Sequence, residues 1–242
     1  MQASSSSEVK VYPLNETAVT VSFGDSFCPA IHKKVRLLSL SLEKQPLPEM
    51  VEYIPSYTGV TIFYNPMQVE TTRGNKPVFE LVKEKVEKLL SAIDQETEDK
   101  PRTIEIPVYY GGETGPDLGN VATHNGLTPQ EVIEIHSSEN YLVYMIGFAP
   151  GFPYLGGMSE KISTPRLDNP RTCVPSGSVG IAGAQTGVYS LSTPGGWQII
   201  GRTPLSLFDT AGDPLTLLES GDIVRFKPIS KAEYQVYEEV GK

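Results

Sequence analysis

The sequence predicts an α+β protein: a small α/β domain of ferredoxin-like layout, followed by a domain of many short strands. Three observations carry this prediction. Strand and helix patterns alternate over the first hundred residues, a charged segment without apolar periodicity follows, and the rest consists of short apolar segments between glycines and prolines. The charged segment, residues 94–102, is typical of a linker. The predicted domains are residues 1–98 and residues 99–242.

The N-terminal domain begins with an alternating strand and continues with an amphipathic helix. Apolar residues recur at helical spacing from Ile31 to Leu42, after a cap predicted at Asp25 or Ser26. The other predicted elements are the strand at residues 17–23, the strands at residues 51–54 and 59–64, and a helix from about Pro77 to Ile93. The order strand, helix, two strands, helix becomes a split β-α-β unit if one further strand joins it.

The second domain opens with an alternating strand at residues 103–110. A helix start follows, with Thr128 as N-cap, Pro129 in the first turn and Glu131 completing a capping box. Further short strands are predicted at residues 141–148, 179–182, 188–191, 197–200 and 223–226. Many short strands with frequent turns are typical of a β-barrel or a β-sandwich.

Composition excludes several functional classes. The net charge is −9 and the isoelectric point is near 4.9, which argues against sequence-independent nucleic-acid binding. Two cysteines and three separated histidines indicate neither a disulfide framework nor a zinc cluster. The sequence shows no secretory signal and no apolar run that could cross a membrane. We therefore expect a cytoplasmic protein that binds neither nucleic acid nor membrane.

A charge-free segment is the feature that composition alone does not explain. Residues 145–201 hold 11 of the 22 glycines, and residues 172–201 contain no charged residue at all. The segment's hydroxyl and carboxamide groups would suit a small polar ligand of amide or lactam character. The flanking cations Arg166, Arg171 and Arg202 would suit its carboxylate. The alternative is a set of tight hairpins, which explains the glycines but not the missing charges.

Three other sites have competing interpretations. Residues 196–203 nearly match a phosphate-binding loop, but Arg202 replaces the lysine and the context is a strand, which argues against one. Cys173, near Arg171, is either a nucleophile or a small buried apolar residue, and the absence of a local base favours the second. His136, near a helix end, is either a proton carrier or a capping histidine, and both interpretations stay open.

Motifs rich in glycine and proline identify a family. They are Tyr109-Tyr-Gly-Gly-Glu-Thr-Gly-Pro-Asp117, Gly147-Phe-Ala-Pro-Gly-Phe-Pro-Tyr-Leu-Gly-Gly157, Gly177-Ser-Val-Gly-Ile-Ala-Gly183 and Thr193-Pro-Gly-Gly-Trp197. With these motifs the chain resembles the KipI/PxpB family, also called allophanate hydrolase subunit 1, over nearly its whole length. The resemblance implies a cyclophilin-like β-barrel as the C-terminal domain.

The resemblance also implies a function. The chain would be the B subunit of an ATP-dependent 5-oxoprolinase, inactive alone, which opens the lactam of 5-oxoproline to L-glutamate together with the partner A and C subunits. The full complex would use ATP, while this chain alone would bind no cofactor. The alternative that the family offers is a non-catalytic inhibitor of a sporulation sensor histidine kinase. It would bind the kinase dimerisation domain and be countered by a KipA-like partner. A proline isomerase is a weak third interpretation, because no catalytic constellation supports it.

The candidate site residues follow from the charge-free segment, its flanks and the family role. His136 is the candidate for proton transfer. The candidates for substrate contact are Arg166, Arg171, Ser178, Gln185, Thr186 and Thr193. No metal ligands are predicted.

Overall fold

The computed structural model describes residues 9–26, 28–70, 76–93 and 101–240. Contacts divide the chain into two compact units, with the division between Lys100 and Pro101. Of the predicted linker, residues 94–100 lie outside the described residues. None of the described helices is long and apolar enough to cross a membrane.

The first unit is a four-stranded antiparallel sheet with two helices. Its elements are β1 (Lys10–Asn15), β2 (Ala18–Ser22), α1 (Pro29–Lys44), β3 (Met50–Pro55), β4 (Gly59–Tyr64) and α2 (Val78–Ile93). The strand order is β1-β2-β4-β3. The further strand that the ferredoxin-like layout needs is therefore β1, which precedes the others in the chain. The sequence pattern misses it because β1 is an edge strand with mostly exposed side chains, including Pro13.

The core of the first unit confirms the predicted helical face of α1. Ile31, Val35, Leu38 and Leu42 are all buried. The predicted cap is wrong, since Cys28 occupies the N-cap position without a side-chain hydrogen bond and the helix begins at the following proline. The fixed φ of a proline already suits the first helical turn, so the helix starts without a polar cap.

The second unit is a closed β-barrel, which confirms the barrel over the sandwich. Its elements are β5 (Thr103–Tyr110), α3 (Leu118–Asn125), α4 (Pro129–Ser138), β6 (Tyr141–Ile146), β7 (Pro153–Gly156), β8 (Arg171–Val174), β9 (Ser178–Ala182), β10 (Gln185–Val188), β11 (Thr193–Gly195), β12 (Gln198–Arg202), β13 (Ile223–Pro228) and α5 (Lys231–Val240). The barrel order is β10-β7-β6-β13-β5-β12-β9, and β8 and β11 form a separate two-stranded ribbon.

The first and last strands of the barrel are neighbours. β13 pairs with β5 in parallel, in a register that runs from Ile223 opposite Thr103 to Pro228 opposite Val108. The other strand pairs described for the barrel are antiparallel. Two separate apolar clusters result in this unit: a barrel core around Val108, Tyr141 and Ile181, and a smaller one around Phe152 and Trp197.

The helices of the second unit match only in part those that the sequence predicts. The capping box of α4 is confirmed: Thr128 Oγ1 accepts a hydrogen bond from the Glu131 N–H at 3.2 Å, and Glu131 Oε2 accepts one from the Thr128 N–H at 2.7 Å. α3 was not predicted, because the glycine-rich residues before it are typical of turns. His124 is exposed and lies in the last turn of α3.

Candidate functional site

A cleft beside the barrel is the candidate site, and the charge-free segment forms much of it. The cleft has a volume of about 390 Å³. It is lined by Phe148, Phe152, Tyr154, Arg166, Pro170, Gln185, Tyr189, Pro194, Gly195, Gly196 and Trp197. Most of these side chains are apolar or aromatic and only a few are polar, which is the usual make-up of a small-molecule site.

The aromatic wall of the cleft, formed by Phe152, Tyr189 and Trp197, is buried and rigidly packed. Phe152 lies edge-to-face against Trp197, with ring centroids 5.8 Å apart and planes at 90°. It lies in the same way against Tyr189, at 5.8 Å and 83°. The three side chains are each less than a tenth exposed, so the wall is formed before any ligand arrives.

One glycine lets the backbone approach this wall. A Cβ on Gly195 would lie 2.1 Å from the hydroxyl oxygen of Tyr189, far inside contact distance. Because only glycine lacks that atom, the chain can run close to the Tyr189 ring only with glycine here. The glycine therefore has a structural reason beyond the turn chemistry that the sequence indicated.

Arg166 is the cation at the rim of the cleft. Its side chain makes no hydrogen bond or ion pair with any residue in the described ranges. The backbone on either side of it is fixed: the Pro165 carbonyl accepts from Gln198 Nε2 at 3.0 Å, and the Leu167 N–H donates to the Gly196 carbonyl at 2.7 Å. An exposed guanidinium without an acidic partner, on a backbone held in place, suits an anionic ligand. Gln185, which is half-buried, adds a carboxamide to the same cleft.

Both Arg166 and Arg171 affect the pKa of the Tyr189 phenol. Burial raises the pKa of its phenol, and a backbone hydrogen bond from Trp197 and the charges of Arg166 and Arg171 act in the opposite direction. The phenol therefore stays protonated near neutral pH. It contributes a neutral aromatic surface to the cleft rather than an anion.

Arg171 supports the cleft wall rather than lining the cleft. Its Nη2 donates to Asp117 Oδ1 at 2.7 Å, and its Nη1 donates to the Trp197 carbonyl at 3.4 Å. The other oxygen of the same buried carboxylate accepts the Ile199 N–H at 2.6 Å. The ion pair thus holds Trp197 and the start of β12 to the start of α3. The Arg171 charge is thus paired with Asp117 beside the cleft, and its contact with a substrate stays a prediction.

His136 lies in the barrel core, away from the residues that line the cleft. Its Nδ1 lies 2.8 Å from the Tyr110 hydroxyl and its Nε2 lies 2.9 Å from Thr186 Oγ1. Thr186 in turn donates to the Gly180 carbonyl at 3.0 Å. The threonine proton is thus committed, so the network assigns the imidazole proton to Nε2 and makes Nδ1 the acceptor from Tyr110.

Complete burial lowers the pKa of His136 from 6.5 to about 3. The imidazole is therefore neutral at physiological pH, and its ring stacks on Phe226 with centroids 4.5 Å apart. Both of its nitrogens are hydrogen-bonded inside the fold. Its geometry is that of a core histidine, so we do not carry the proton-transfer role forward. The same holds for substrate contact by Thr186, whose hydroxyl belongs to this network.

Two further predicted contacts lie near the cleft without lining it. Ser178 is buried in β9, and its carbonyl accepts a hydrogen bond from the N–H of the cleft residue Tyr189 at 2.9 Å. Thr193 begins β11, next to the cleft residue Pro194, and its hydroxyl oxygen is buried without a hydrogen-bond partner among the described residues. Of the six predicted contact residues, the structure thus brings only Arg166 and Gln185 into the cleft.

The sequence pattern does not single out the aromatic residues of the cleft as contacts. Phe148, Phe152 and Tyr154 belong to one glycine- and proline-rich motif, and Trp197 is the only tryptophan of the chain. Large aromatic residues within a segment rich in tight turns were the available signal. Residues 196–203, which resembled a phosphate loop, instead contain barrel strand β12, as their strand-like pattern predicted. No group of residues that could hold a metal ion occurs in the part of the chain that the structure describes.

Comparisons with known proteins agree with this architecture. The family model of the carboxyltransferase domain, subdomain C and D, matches residues 9–218. The chain is 48% identical to the 5-oxoprolinase B subunit of Bacillus subtilis (strain 168), over 95% of this chain and 97% of that protein. It is 45% identical to the 5-oxoprolinase B subunit of Escherichia coli O157:H7, over 90% of this chain and 95% of that protein.

A solved structure shows the same fold inside a longer protein. The Kluyveromyces lactis urea carboxylase aligns with a TM-score of 0.68 and 19% identity, over 96% of this chain and 22% of that chain. At this identity the likeness concerns the fold alone.

Proposed function

The chain belongs to the family of the carboxyltransferase domain, subdomain C and D, and from this membership we propose that it works as the B subunit of a 5-oxoprolinase. The carrying observation is the high identity, over almost the whole of each chain, to two bacterial proteins of that name. The reaction would open the lactam ring of 5-oxoproline. One water is consumed as the amide C–N bond breaks, and L-glutamate is released.

The chain would act in a complex with the A and C subunits. We assign the use of ATP to that complex, because the segment nearest to a phosphate loop here forms β12 of the barrel. The fold also occurs as part of the longer urea carboxylase chain, which is consistent with a unit that works beside partner domains. Since the reaction needs an ATP supply, we place the protein in the cytoplasm. The histidine-kinase inhibitor is not favoured by the named relatives, so we do not propose it.

The cleft would hold the substrate. 5-Oxoproline combines a carboxylate with a small neutral lactam ring. Arg166 would bind the carboxylate and Gln185 the lactam amide, while the aromatic wall would pack against the ring. The support for this assignment is chemical: the cleft offers one uncommitted cation, one carboxamide and an apolar wall, and no acidic side chain is among the described residues that line it.

Reconstitution tests the proposal. Purified chain is mixed with the A and C subunits, 5-oxoproline and ATP, and released glutamate is followed. We expect no release when this chain is left out, and unimpaired release without it would refute the function.

A substitution then tests the cleft as the substrate site. Arg166→Gln should raise the KM for 5-oxoproline roughly ten- to hundredfold, the effect of losing one charge-assisted hydrogen bond. The control is Arg225→Gln, because Arg225 is an exposed arginine of β13 that bonds only Asn140 among the described residues. An equal KM in the two variants would exclude Arg166 from the site while leaving the function intact.

A further inference from the structure

Phe148 has an unusual backbone at the rim of the cleft. Among the described residues it is the one residue other than glycine with a positive φ, at 69°. The Ala149 N–H donates to the Gly147 carbonyl at 2.8 Å, which closes a tight γ-turn around Phe148. A bulky side chain is rarely found in the left-handed region, because its Cβ crowds the backbone.

The surrounding loop holds Phe148 in this conformation. The Gly147 N–H donates to the Phe152 carbonyl and the Phe152 N–H donates to the Ala149 carbonyl, both at 3.0 Å. Gly151 packs so closely that a Cβ there would lie 2.8 Å from the Phe208 Cβ. The turn therefore cannot relax without losing these contacts, which is the usual condition for a strained residue to persist.

Burial of the side chain within the fold does not explain why a phenylalanine occupies this strained position. The Phe148 side chain is 71% exposed, and the ring contact recorded for it is an edge-to-face one with Phe152 at 5.5 Å. A phenylalanine that is both strained and exposed stabilises neither the turn nor the core of the isolated chain. Its ring does, however, line the cleft that also contains Arg166 and Trp197.

We propose that Phe148 is a substrate-binding residue, which covers the ring of a small cyclic carboxylate held by Arg166 and Gln185. This inference rests on the proposed function and names a further contact for the same site. A single small ring occupies only part of a cleft of about 390 Å³, so the ligand face opposite the aromatic wall would otherwise stay in water. In the bound state the Phe148 ring packs over that face, which buries the exposed ring and keeps the ligand carboxylate against Arg166.

Three substitutions separate the ring from the strain. Phe148→Gly removes the ring and relieves the turn, Phe148→Ala removes the ring and keeps the turn strained, and Phe148→Tyr keeps an aromatic ring. The control is Tyr237→Ala, because Tyr237 is an exposed aromatic residue of α5 that does not line the cleft. Binding of 5-oxoproline to each chain is followed by Trp197 emission, since the only tryptophan lies in the cleft. The KM is measured in the complex with the A and C subunits.

The expected changes in Kd, KM and thermal midpoint distinguish a binding role of Phe148 from a structural one. Phe148→Gly and Phe148→Ala should raise Kd and KM by about tenfold with a smaller change in kcat, as expected when the burial of part of an aromatic ring is lost. Phe148→Tyr and Tyr237→Ala should stay near wild type. The thermal midpoint of Phe148→Gly should be no lower than that of wild type, which a merely structural role for the ring would not allow.

Several outcomes would overturn the inference. Unchanged Kd and KM in the glycine and alanine variants would do so while leaving the proposed function standing. Loss of complex assembly at unchanged Kd would assign Phe148 to an interface with the partner proteins instead. If glutamate release does not need this chain, the proposed function fails. The Kd values of the isolated chains then decide the role of Phe148, and a wild-type chain that does not respond to 5-oxoproline counts against it.

Discussion

The buried histidine of the barrel core gives the stability of the second unit a defined pH dependence. The pKa of His136 is lowered from 6.5 to about 3 by burial, so as pH falls the unfolded chain takes up the proton first. The stabilisation is complete above pH 6.5 and is lost as pH falls toward 3. The loss is about 1.4 kcal/mol per pH unit within this window, or about 2 kcal/mol between pH 7.5 and pH 5.

The perturbation is His136→Gln, which removes the titrating group. At pH 7.5 the variant should be less stable than wild type by about 2–4 kcal/mol, because Tyr110 and Thr186 lose well-placed buried partners. As pH falls to 5, the gap should narrow by about 2 kcal/mol, since only the wild-type chain has this histidine to protonate on unfolding.

The assay is urea unfolding followed by tryptophan emission at several pH values from 7.5 to 5. Trp197 is the only tryptophan and lies in the second unit, so the signal reports on the unit that contains His136. His124→Gln, at an exposed histidine of α3, is the matched control and should follow the wild-type slope. Parallel pH profiles for wild type and His136→Gln would refute the reasoning, because they would mean that His136 takes up the proton as readily in the folded core as in the unfolded chain.

Two further predictions concern the cleft wall. Asp117→Asn should lower the free energy of unfolding by about 2–4 kcal/mol, because it leaves Arg171 without its counter-charge. The control is Glu219→Gln, in a half-exposed pair with Arg102, which should lower the free energy of unfolding by less than about 1 kcal/mol. Equal costs in urea unfolding would contradict the structural role of the first pair. Gly195→Ala should displace Tyr189, lower the free energy of unfolding by about 1–3 kcal/mol and weaken 5-oxoproline binding. The control is Gly119→Ala, which has open space around its Cβ position and should leave the stability unchanged or raise it. A Gly195→Ala chain with the thermal midpoint and Trp197 emission of wild type would contradict this expectation, because the aromatic wall would then accept the added Cβ without loss of stability.

The predictable parts of the fold are those where one local signal dominates. β4 and β5 are predicted at their observed bounds, β4 as an apolar run that follows a turn and β5 by the alternation of apolar and polar residues at its start. The start of α4 is predicted for a similar reason, since its capping box is a strong local signal. β1 is not predicted because an edge strand with exposed side chains shows no such alternation. Its place beside β2 is set by tertiary contacts, which a local sequence pattern does not report.

The site was predictable in position but not in detail. The charge-free segment was predicted to hold a ligand face, and several of its residues line the cleft, while the ligand itself stays a prediction. Gln185 and Thr186 are consecutive residues of β10, so their side chains point to opposite faces. The first lines the cleft and the second binds His136 in the core. The sequence pattern predicts this strand three residues too late, at residues 188–191, and so could not assign the two faces.

The parallel pairing of β5 with β13 has a mechanical consequence. The two strands that begin and end the barrel lie side by side and run in the same direction, with six residue pairs in register. A force that pulls the start of β5 away from the end of β13 therefore acts along both strands and loads all of their hydrogen bonds together. The strands would have to slide past one another rather than peel apart one bond at a time. We therefore expect the barrel to resist extension between its two ends.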